Sequence, residues 1–380
     1  YQVSASTNAF PEVCGRICPQ DRLCEGNCVV EQAGFGAITI GNLEKYLTEI
    51  AWEKGWVKNL SSQNQYKQKV AIIGSGPAGM AASAYLIQNG YKVDVYEKND
   101  RAGGLMIYGI PNFKLDKKIV ERRTEWLTDS GVVFNLNTQV GKNISFQDLE
   151  KDYDAILIAT GVYKARQLDI DTSTVNNSIP ALDFLIESNR TGLGDSPSKN
   201  KYLTAKDKHV VVIGGGDTAM DCVRTAIRQQ AKEVTCLYRR NKENMPGSAR
   251  EVLNAEQEGI KFNWLSVPSK IISDSATATS MTYKVATLGE VDESGRRKPI
   301  DTGVEKQIKS DLIIQALGFE PEDLNHNFKT NIELTSWKTV KVDFKKFQTS
   351  NPKIFAAGDI VRGASLVVWA IHDGREVAKS

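Results

Sequence analysis

The chain has 380 residues, of which 25% are charged and 41% hydrophobic, and its formal net charge is +2. This composition indicates a globular protein of two domains with a small third segment, and it excludes a disordered chain. A charge so near neutrality argues against bulk binding of nucleic acid or other polyanions, and no apolar run approaches the roughly 18 residues that cross a bilayer. Because the chain begins at Tyr1 and shows no signal-peptide pattern, we expect a trimmed chain that lacks an N-terminal segment.

Four of the six cysteines lie close together near the N-terminus, with the spacing C-x3-C-x5-C-x3-C, at Cys14, Cys18, Cys24 and Cys28. A chain of this size does not need disulfides for stability, so a dense cysteine group favours metal or iron–sulfur ligation. Thiolates are the ligands that iron–sulfur clusters use. Zinc, whose usual spacing is C-x-x-C, and a disulfide-rich knot are the alternatives.

Residues 38–56 follow, with apolar side chains at close to the period of an α-helix, which predicts a helix. Residues 61–69 are polar and are predicted to form a linker. An apolar strand, residues 70–73, then enters G-x-G-x-x-G at Gly74, Gly76 and Gly79.

In this pattern each glycine has a separate purpose. The first makes a tight turn, the second lets the backbone approach a pyrophosphate, and the third lets helix and strand pack closely. The phosphates would then lie at a helix N-terminus, where unpaired N–H groups point. Glu97 ends the next predicted strand after this loop, where an acid is expected to hold ribose hydroxyls.

The same strand, glycine loop and helix pattern recurs further along the chain, as G-x-G-x-x-A starting at Gly214. Here Tyr238 takes the place of the acid, and Arg239 and Arg240 follow it. Arginines bind the 2′-phosphate that a carboxylate would repel, so this site is predicted to prefer NADPH over NADH. A solvated strand end is the alternative interpretation of the two arginines.

Between the two loops, residues 180–208 are polar and are predicted to be a crossover. After residue 270 the chain is rich in Thr, Ser and Val, and a hairpin is predicted around residues 292–295. The C-terminal segment returns to a strand at 353–357, then to Gly358 and Asp359, and then to a helix.

Several short motifs together resemble the flavoproteins that contain two dinucleotide domains. They are the G-G pair that follows Glu97, the A-T-G at residues 159–161 and the terminal Gly358-Asp359. In that family the first site holds FAD, and the terminal aspartate lies by its ribityl–pyrophosphate region. The A-L-G at residues 316–318 resembles the second crossing between the domains, near the nicotinamide.

No pair of redox cysteines accompanies these motifs. Residues 103–111 contain no cysteine, and Cys222 and Cys236 are too far apart in sequence to form a C-x-x-C motif, so both are predicted to pack as small buried side chains. Electrons are therefore expected to leave through the N-terminal cysteines. Hydride transfer from nicotinamide to flavin needs stacked rings and correct positioning, so no general acid or base is assigned, and no catalytic residue.

The longest motifs resemble the small (β) subunit family of NADPH-dependent glutamate synthases, and less closely the N-terminal half of dihydropyrimidine dehydrogenase. The resemblance spans essentially the whole chain, at residues 11–26, 37–44, 214–221, 238–240, 243–248 and 357–363. It implies an α/β fold with two Rossmann-like domains behind a small helical iron–sulfur domain. The expected domains are 1–66 (iron–sulfur), 67–195 and 319–380 (a discontinuous FAD domain), and an inserted NADPH domain at 196–318.

The resemblance also implies two 4Fe–4S clusters whose ligands come partly from cysteines further upstream, which are not in this chain. Cys18 and Cys24 would serve one cluster together with Glu44, an unusual carboxylate ligand, and Cys28 would serve the other. Cys14 matches a position that is not a ligand. Without the upstream cysteines, neither cluster would be complete here.

The family pattern assigns the remaining cofactor-binding residues. For FAD they are Gly74, Gly76, Pro77, Ala78, Gly79, Glu97, Lys98, Gly104, Leu105, Lys114, Val140, Ala159, Gly161, Gly358, Asp359, Leu366 and Val367. For NADPH they are Gly215, Gly216, Asp217, Thr218, Arg239, Arg240, Ala316 and Gly318.

The function implied by the resemblance is electron input to a cytoplasmic, hetero-oligomeric glutamate synthase. NADPH would reduce FAD, and 4Fe–4S clusters would pass electrons to an FMN-containing large (α) subunit that makes glutamate from glutamine and 2-oxoglutarate. The alternatives are a related chain that reduces ferredoxin or a pyrimidine, and a non-catalytic flavin-bearing scaffold or redox sensor.

Overall fold

Residues 1–291, 295 and 297–380 are described by the structure, which is a computed structural model. The hairpin turn predicted around residues 292–295 therefore lies, except for Gly295, outside the described residues. The chain divides into two units, residues 1–164 with 319–380 and residues 165–318.

The first unit begins with helices α1 (Gln2–Thr7), α2 (Pro11–Ile17), α3 (Val29–Gln32) and α4 (Ile40–Glu53). The helix predicted at residues 38–56 is confirmed as α4, but its apolar period does not mark the packed face. Leu43, Tyr46 and Leu47 are 45–64% exposed, because α4 packs on α2 through small residues. A Cβ added to Gly15 would lie only 2.6 Å from the Gly41 oxygen, so larger side chains are excluded from this contact.

A parallel sheet forms the centre of the first unit. Its strands are β1 (Lys69–Ile73), β2 (Lys92–Tyr96), β3 (Val133–Asn135), β4 (Ala155–Ile158) and β15 (Ile354–Ala356), and their order across the sheet is β15-β4-β1-β2-β3. Four consecutive residues of β1 are buried, as expected for a parallel strand covered on both faces.

Further helices accompany this sheet in the first unit. They are α5 (Pro77–Asn89), α6 (Leu105–Tyr108), α7 (Lys117–Asp129), α8 (Phe146–Asp152), α12 (Leu324–Phe328), α13 (Asp359–Arg362) and α14 (Val367–Val377). Local sequence fixes several of their ends. Asp116 and Ser145 accept backbone N–H groups as N-caps of α7 and α8, and Gly90 ends α5 with φ +97°.

The second unit repeats the arrangement. Its parallel strands are β6 (Ser178–Pro180), β7 (His209–Ile213), β8 (Glu233–Leu237), β9 (Lys261–Asn263) and β13 (Leu312–Gln315), and its helices are α9 (Ala181–Gly192), α10 (Asp217–Arg228) and α11 (Ala249–Gln257). The strand order across this sheet is β6-β13-β7-β8-β9. An antiparallel sheet adds β10 (Ser266–Asp274), β11 (Thr277–Val291) and β12 (Arg297–Lys309). Two short strands lie where the sequence passes from one unit to the other, namely β5 (Lys164–Ala165) and β14 (Phe319–Glu320).

Two parallel sheets, the second inserted in the sequence of the first, confirm the predicted α/β class. The chain enters the second unit after Lys164, ahead of the boundary expected at residue 195. Strand β6 pairs with β13, and α9 follows it with Leu182, Phe184 and Leu185 buried. Helix α9, with its apolar spacing, thus lies inside residues 180–208, the stretch that the sequence predicts to be a polar crossover.

Within the described residues, no helix combines the length and apolar content that a membrane crossing needs.

Candidate dinucleotide and cysteine sites

The first glycine loop has the geometry that its sequence predicts. Gly74 has φ +103°, and an added Cβ would lie 2.5 Å from the Ala159 oxygen. A Cβ on Gly79 would lie 2.0 Å from the Gly74 oxygen, so helix α5 meets the loop through bare backbone. At Gly76 an added Cβ would meet no heavy atom of the described residues within 4 Å. The backbone at Gly76 therefore faces open space, which is what the approach of a pyrophosphate requires.

Glu97 lies at the end of β2 and is 5% exposed. Its Oε2 accepts the N–H (3.1 Å) and hydroxyl (2.6 Å) of Ser75, and its Oε1 accepts the backbone N–H (2.9 Å) and side-chain amide (2.7 Å) of Asn99. A carboxylate has about four acceptor positions, so these four bonds engage it fully. A ribose hydroxyl would have to replace one of them, and the role of Glu97 in ribose binding stays a prediction.

A cavity in the first unit opens beside this loop, at the carboxyl ends of β1 and β4. Most of the predicted FAD residues line it, namely Gly74, Gly76, Pro77, Ala78, Glu97, Lys98, Leu105, Val140, Ala159, Gly161, Asp359, Leu366 and Val367. Gly79, Gly104, Lys114 and Gly358 do not. A Cβ on Gly104 would lie 2.7 Å from Gly76 Cα, and one on Gly358 would lie 2.9 Å from Ala78 Cβ. These two glycines therefore pack against residues that line the cavity, although they do not line it themselves.

Other lining residues were missed by sequence reasoning, among them Ile17, Tyr96, Thr160, Tyr163 and Glu322. The Thr160 hydroxyl is buried and has no hydrogen-bond partner in the described part of the chain, so it fits a polar ligand in the cavity. Burial, followed by the charges of Glu97, Asp359 and Glu322, raises the pKa of Tyr163. Only Thr160 could have been found from the sequence, as the middle residue of A-T-G.

Asp359 is a cavity residue with strongly perturbed acidity. Burial raises its pKa to about 7, and the nearby charge of Asp373 adds to the effect, although the Ser365 backbone N–H opposes it. At neutral pH this carboxyl group is therefore close to half protonated. It can donate a hydrogen bond to a ligand oxygen as well as accept one.

We expect this carboxyl group to make the FAD-free chain less stable as pH rises. The folded state holds the Asp359 proton up to about pH 7, whereas an unfolded aspartate loses it near pH 4. Stability should therefore fall with rising pH across this window, and Asp359→Asn should raise the urea midpoint more at pH 7.5 than at pH 5. Asp171→Asn is the control, because Ser173 lowers the pKa of Asp171. Its carboxylate is charged in the folded and unfolded states throughout this window, so the substitution should act equally at both pH values. If Asp359→Asn raised the urea midpoint equally at both pH values, that result would contradict the prediction.

The second glycine loop reproduces the first. A Cβ on Gly214 would lie 2.2 Å from the Ala316 oxygen, the counterpart of Gly74 against Ala159. Gly216, like Gly76, faces open space and directly precedes a helix, here α10, which begins at Asp217 with Thr218 second. The third residue of each A-x-G, Gly161 or Gly318, has positive φ. Each glycine loop therefore contacts its A-x-G segment in the same way.

The two arginines after β8 differ in their exposure to solvent. Arg239 is exposed, whereas Arg240 is 8% exposed and donates Nε to the Arg297 oxygen at 2.8 Å. The position of Arg239 suits a phosphate ligand that arrives from solvent. Arg240 holds the Arg297 backbone through Nε, so Arg239 is the more accessible of the two arginines. The assignment of both arginines to the 2′-phosphate stays a prediction.

The N-terminal cysteines are all free thiols, so the disulfide alternative has no support. A hydrogen bond between their sulfurs raises the pKa of Cys14 and lowers that of Cys18, and the charge of Glu44 acts on both. These three residues are therefore close together. Cys24 is exposed and Cys28 is buried.

Glu44 Oε1 accepts weak bonds from Ser4 and Asn8, both at 3.5 Å, and burial raises its pKa. In the described residues, no group of three or more His, Cys, Asp or Glu side chains converges on one metal position. The described side chains therefore do not form a complete cluster ligand set by themselves. The assignments of Cys18, Cys24, Cys28 and Glu44 stay predictions.

Comparison with known proteins agrees with this architecture. Residues 68–374 match the model of the pyridine nucleotide-disulphide oxidoreductases, and residues 1–56 match dihydropyrimidine dehydrogenase domain II, 4Fe-4S cluster. FprA of Mycobacterium tuberculosis, solved in complex with NADPH, shares the fold with a TM-score of 0.67 at 19% identity, over 83% of this chain and 84% of that one. The fold and both glycine loops thus define a two-nucleotide oxidoreductase.

Within that class the chain belongs to the family of glutamate synthase [NADPH] small chains. It is 51% identical to the small chain of Azospirillum brasilense, over 100% of this chain and 79% of the relative. It is 45% identical to that of Escherichia coli, over 99% and 81% respectively. The match includes the cysteine segment as well as both nucleotide loops.

Proposed function

We propose that this chain is the electron-input subunit of a cytoplasmic glutamate synthase, which oxidises NADPH and delivers electrons to a large chain. One observation carries the proposal, which is the 51% identity to a glutamate synthase [NADPH] small chain over the entire length. The geometry is consistent with it, because the chain has two glycine loops of equal construction and its cysteines are free thiols.

The cavity of the first unit would hold FAD, and the second glycine loop would hold NADPH. The chemistry that FAD supplies is acceptance of a hydride and release of single electrons. The residues of this chain would bind and orient the cofactors. Gly76 gives the backbone approach, Thr160 and Asp359 offer polar groups inside the cavity, and Leu366 and Val367 supply apolar wall.

The cysteine segment adjoins this cavity, which supports an exit for electrons on that side. Ile17 lines the cavity, and the neighbouring Cys18 thiol accepts the backbone N–H of Val368 at the start of α14. Val367, one residue earlier, lines the cavity as well. Because the described residues do not complete a cluster, no electron route is derived beyond this contact.

Three measurements test the proposal. Anaerobic NADPH should bleach the flavin absorbance of the FAD-loaded chain, and failure to bleach would favour a non-catalytic scaffold. Purification of the chain from cells with its natural partners should recover a large glutamine-using chain. Recovery of a ferredoxin or a pyrimidine-reducing chain in its place would favour the sibling enzymes. Iron and acid-labile sulfide per flavin should be measured on the same material, and their absence would contradict the cluster assignment.

We expect Arg239→Gln to weaken NADPH binding about 10- to 150-fold, which corresponds to a charge-assisted bond of roughly 1.5–3 kcal/mol, and to leave NADH binding unchanged. Half-saturation of flavin reduction by each coenzyme measures this. Lys261→Gln, a surface change in the same unit whose lysine pairs with Glu233, is the control and should alter the binding of neither coenzyme. Equal loss for NADPH and NADH would remove the basis for coenzyme choice.

A further inference from the structure

The segment that follows the two arginines folds back over the second glycine loop. This strap, residues 241–248, runs from the end of β8 to the start of α11. Gly247 donates its N–H to the Gly215 oxygen at 2.9 Å. A Cβ added to Gly247 would lie 3.1 Å from that oxygen and 3.4 Å from the Gly216 carbonyl carbon. The strap and the loop are thus in direct backbone contact.

Two side chains fasten the strap, one at its middle and one at its C-terminal end. The Tyr238 hydroxyl donates to the Asn244 oxygen at 2.8 Å, and Asp217 Oδ1 accepts the Ser248 N–H at 2.9 Å. Tyr238 is 6% exposed, and its ring lies so close to Gly215 that a Cβ there would be 2.3 Å from a ring carbon. The strap is therefore fixed in place by the same residues that surround the loop.

These contacts account for two residues that do not suit a nucleotide ligand. Tyr238 stands where an acid would hold a ribose, but its hydroxyl is directed to the strap. Asp217 is the first residue of α10, where its charge would oppose a pyrophosphate, and its carboxylate accepts a strap N–H. Both side chains thus act on the strap.

We propose that the strap is a positioning element of the NADPH site, and that Tyr238 and Asp217 are positioning residues that fasten it. The inference rests on the proposed function. Because the Gly215 oxygen is held by Gly247, the peptide that leads into Gly216 keeps one orientation, with Gly216 facing open space. The strap therefore presets the backbone that meets the pyrophosphate, a group shared by NADPH and NADH.

Tyr238→Phe tests this with the least disturbance, since it removes only the hydroxyl. In the FAD-loaded chain the Kd of NADP+ and of NAD+ should rise by the same factor, about 3- to 10-fold for one hydrogen bond. The limiting rate of flavin reduction at saturating NADPH should not change. Tyr202→Phe is the matched control in the same unit, because the partners of its hydroxyl, Thr277 at 3.3 Å together with Lys201 and Asn176, belong neither to the strap nor to the glycine loop.

Ser248→Pro tests the C-terminal end of the strap. Ser248 has φ −57°, which suits proline, so the change removes the N–H donor without forcing φ. It should weaken NADP+ binding about 3- to 10-fold more than Ser248→Ala, which keeps the N–H. Hydrogen exchange of residues 241–248 should quicken in Tyr238→Phe and should slow in the wild-type chain when NADP+ is added.

Unchanged NADP+ affinity in both Tyr238→Phe and Ser248→Pro would overturn the inference, as would hydrogen exchange of the strap that NADP+ leaves unaltered. A loss for NADP+ alone, with NAD+ binding intact, would also overturn it, because the strap would then act on the 2′-phosphate. These results are separate from failure of the proposed function. If the proposed function fails and the inference holds, the strap variants would still change NADP+ binding. NADPH would then not bleach the flavin of the chain.

Discussion

Arg123→Met is expected to lower the free energy of unfolding by about 3–5 kcal/mol, the usual cost of leaving a buried charge without its partner. Arg123 donates Nε to Glu12 Oε1 at 2.5 Å and Nη2 to Oε2 at 2.9 Å. Their side chains are 2% and 0% exposed, so the Glu12 carboxylate would remain buried after the substitution. Urea denaturation of the FAD-loaded chain measures the effect.

Arg122→Met is the matched control, on the next residue of the same helix. Arg122 pairs with Glu49 at 2.9 Å, but these side chains are 25% and 28% exposed, so the expected cost is about 0–1 kcal/mol. Both guanidinium groups lie over the Trp52 ring, at 4.6 and 5.0 Å. Arg123 also lies over the rings of Phe10 and Trp126, and these contacts add to the cost of its substitution. Equal destabilisation by the two variants would contradict the argument from burial.

This ion pair also explains why the cysteine segment belongs to the first unit. Glu12 and Ile17 lie on the same short helix α2, so the pair with Arg123 on α7 holds the helix whose end reaches the cavity. Arg16, on the same helix, bonds Glu49 of α4 at 2.9 Å. Helix α2 thus links the cysteines to the flavin domain. Neither partner of the buried pair could be matched from sequence, because they are far apart along the chain and no local pattern connects them.

The nucleotide loops were predictable from sequence because each depends on a few adjacent residues. A strand that enters a tight turn and then a helix needs glycine at fixed positions, and both loops meet their A-x-G partners through contacts that a Cβ would block. The features that sequence missed depend on distant contacts. The inward direction of Arg240 is set by Arg297, and the small-residue face of α4 is set by Gly15.

The second unit starts earlier in the chain than the expected boundary for a related reason. Strand β6 is very short, and its place in the second sheet depends on β13, which comes much later in the sequence. A strand that short has no period of its own to recognise. The cavity likewise gains Ile17 from the N-terminal segment and Glu322 from beyond the second unit, and local patterns connect neither with the glycine loop.

Gly76→Ala is expected to leave the FAD-free fold intact and to weaken FAD binding by about 5- to 150-fold. At φ −66° and ψ −177° the backbone of Gly76 is extended, which alanine adopts freely. The new methyl group would meet no described heavy atom within 4 Å, so the urea midpoint of the FAD-free chain should not change. If the pyrophosphate approaches this backbone, the methyl group occupies its space, and such overpacking costs about 1–3 kcal/mol.

Gly79→Ala provides the contrast, because its methyl group would lie 2.0 Å from the Gly74 oxygen. Helix α5 would have to move away from the loop, so this variant should destabilise the FAD-free chain as well as weaken FAD binding. Titration of each FAD-free chain with FAD, followed by flavin fluorescence, gives the affinities, and urea denaturation gives the stabilities. Wild-type FAD affinity in Gly76→Ala would mean that no phosphate approaches this glycine, and the assignment of FAD to the first loop would then fail.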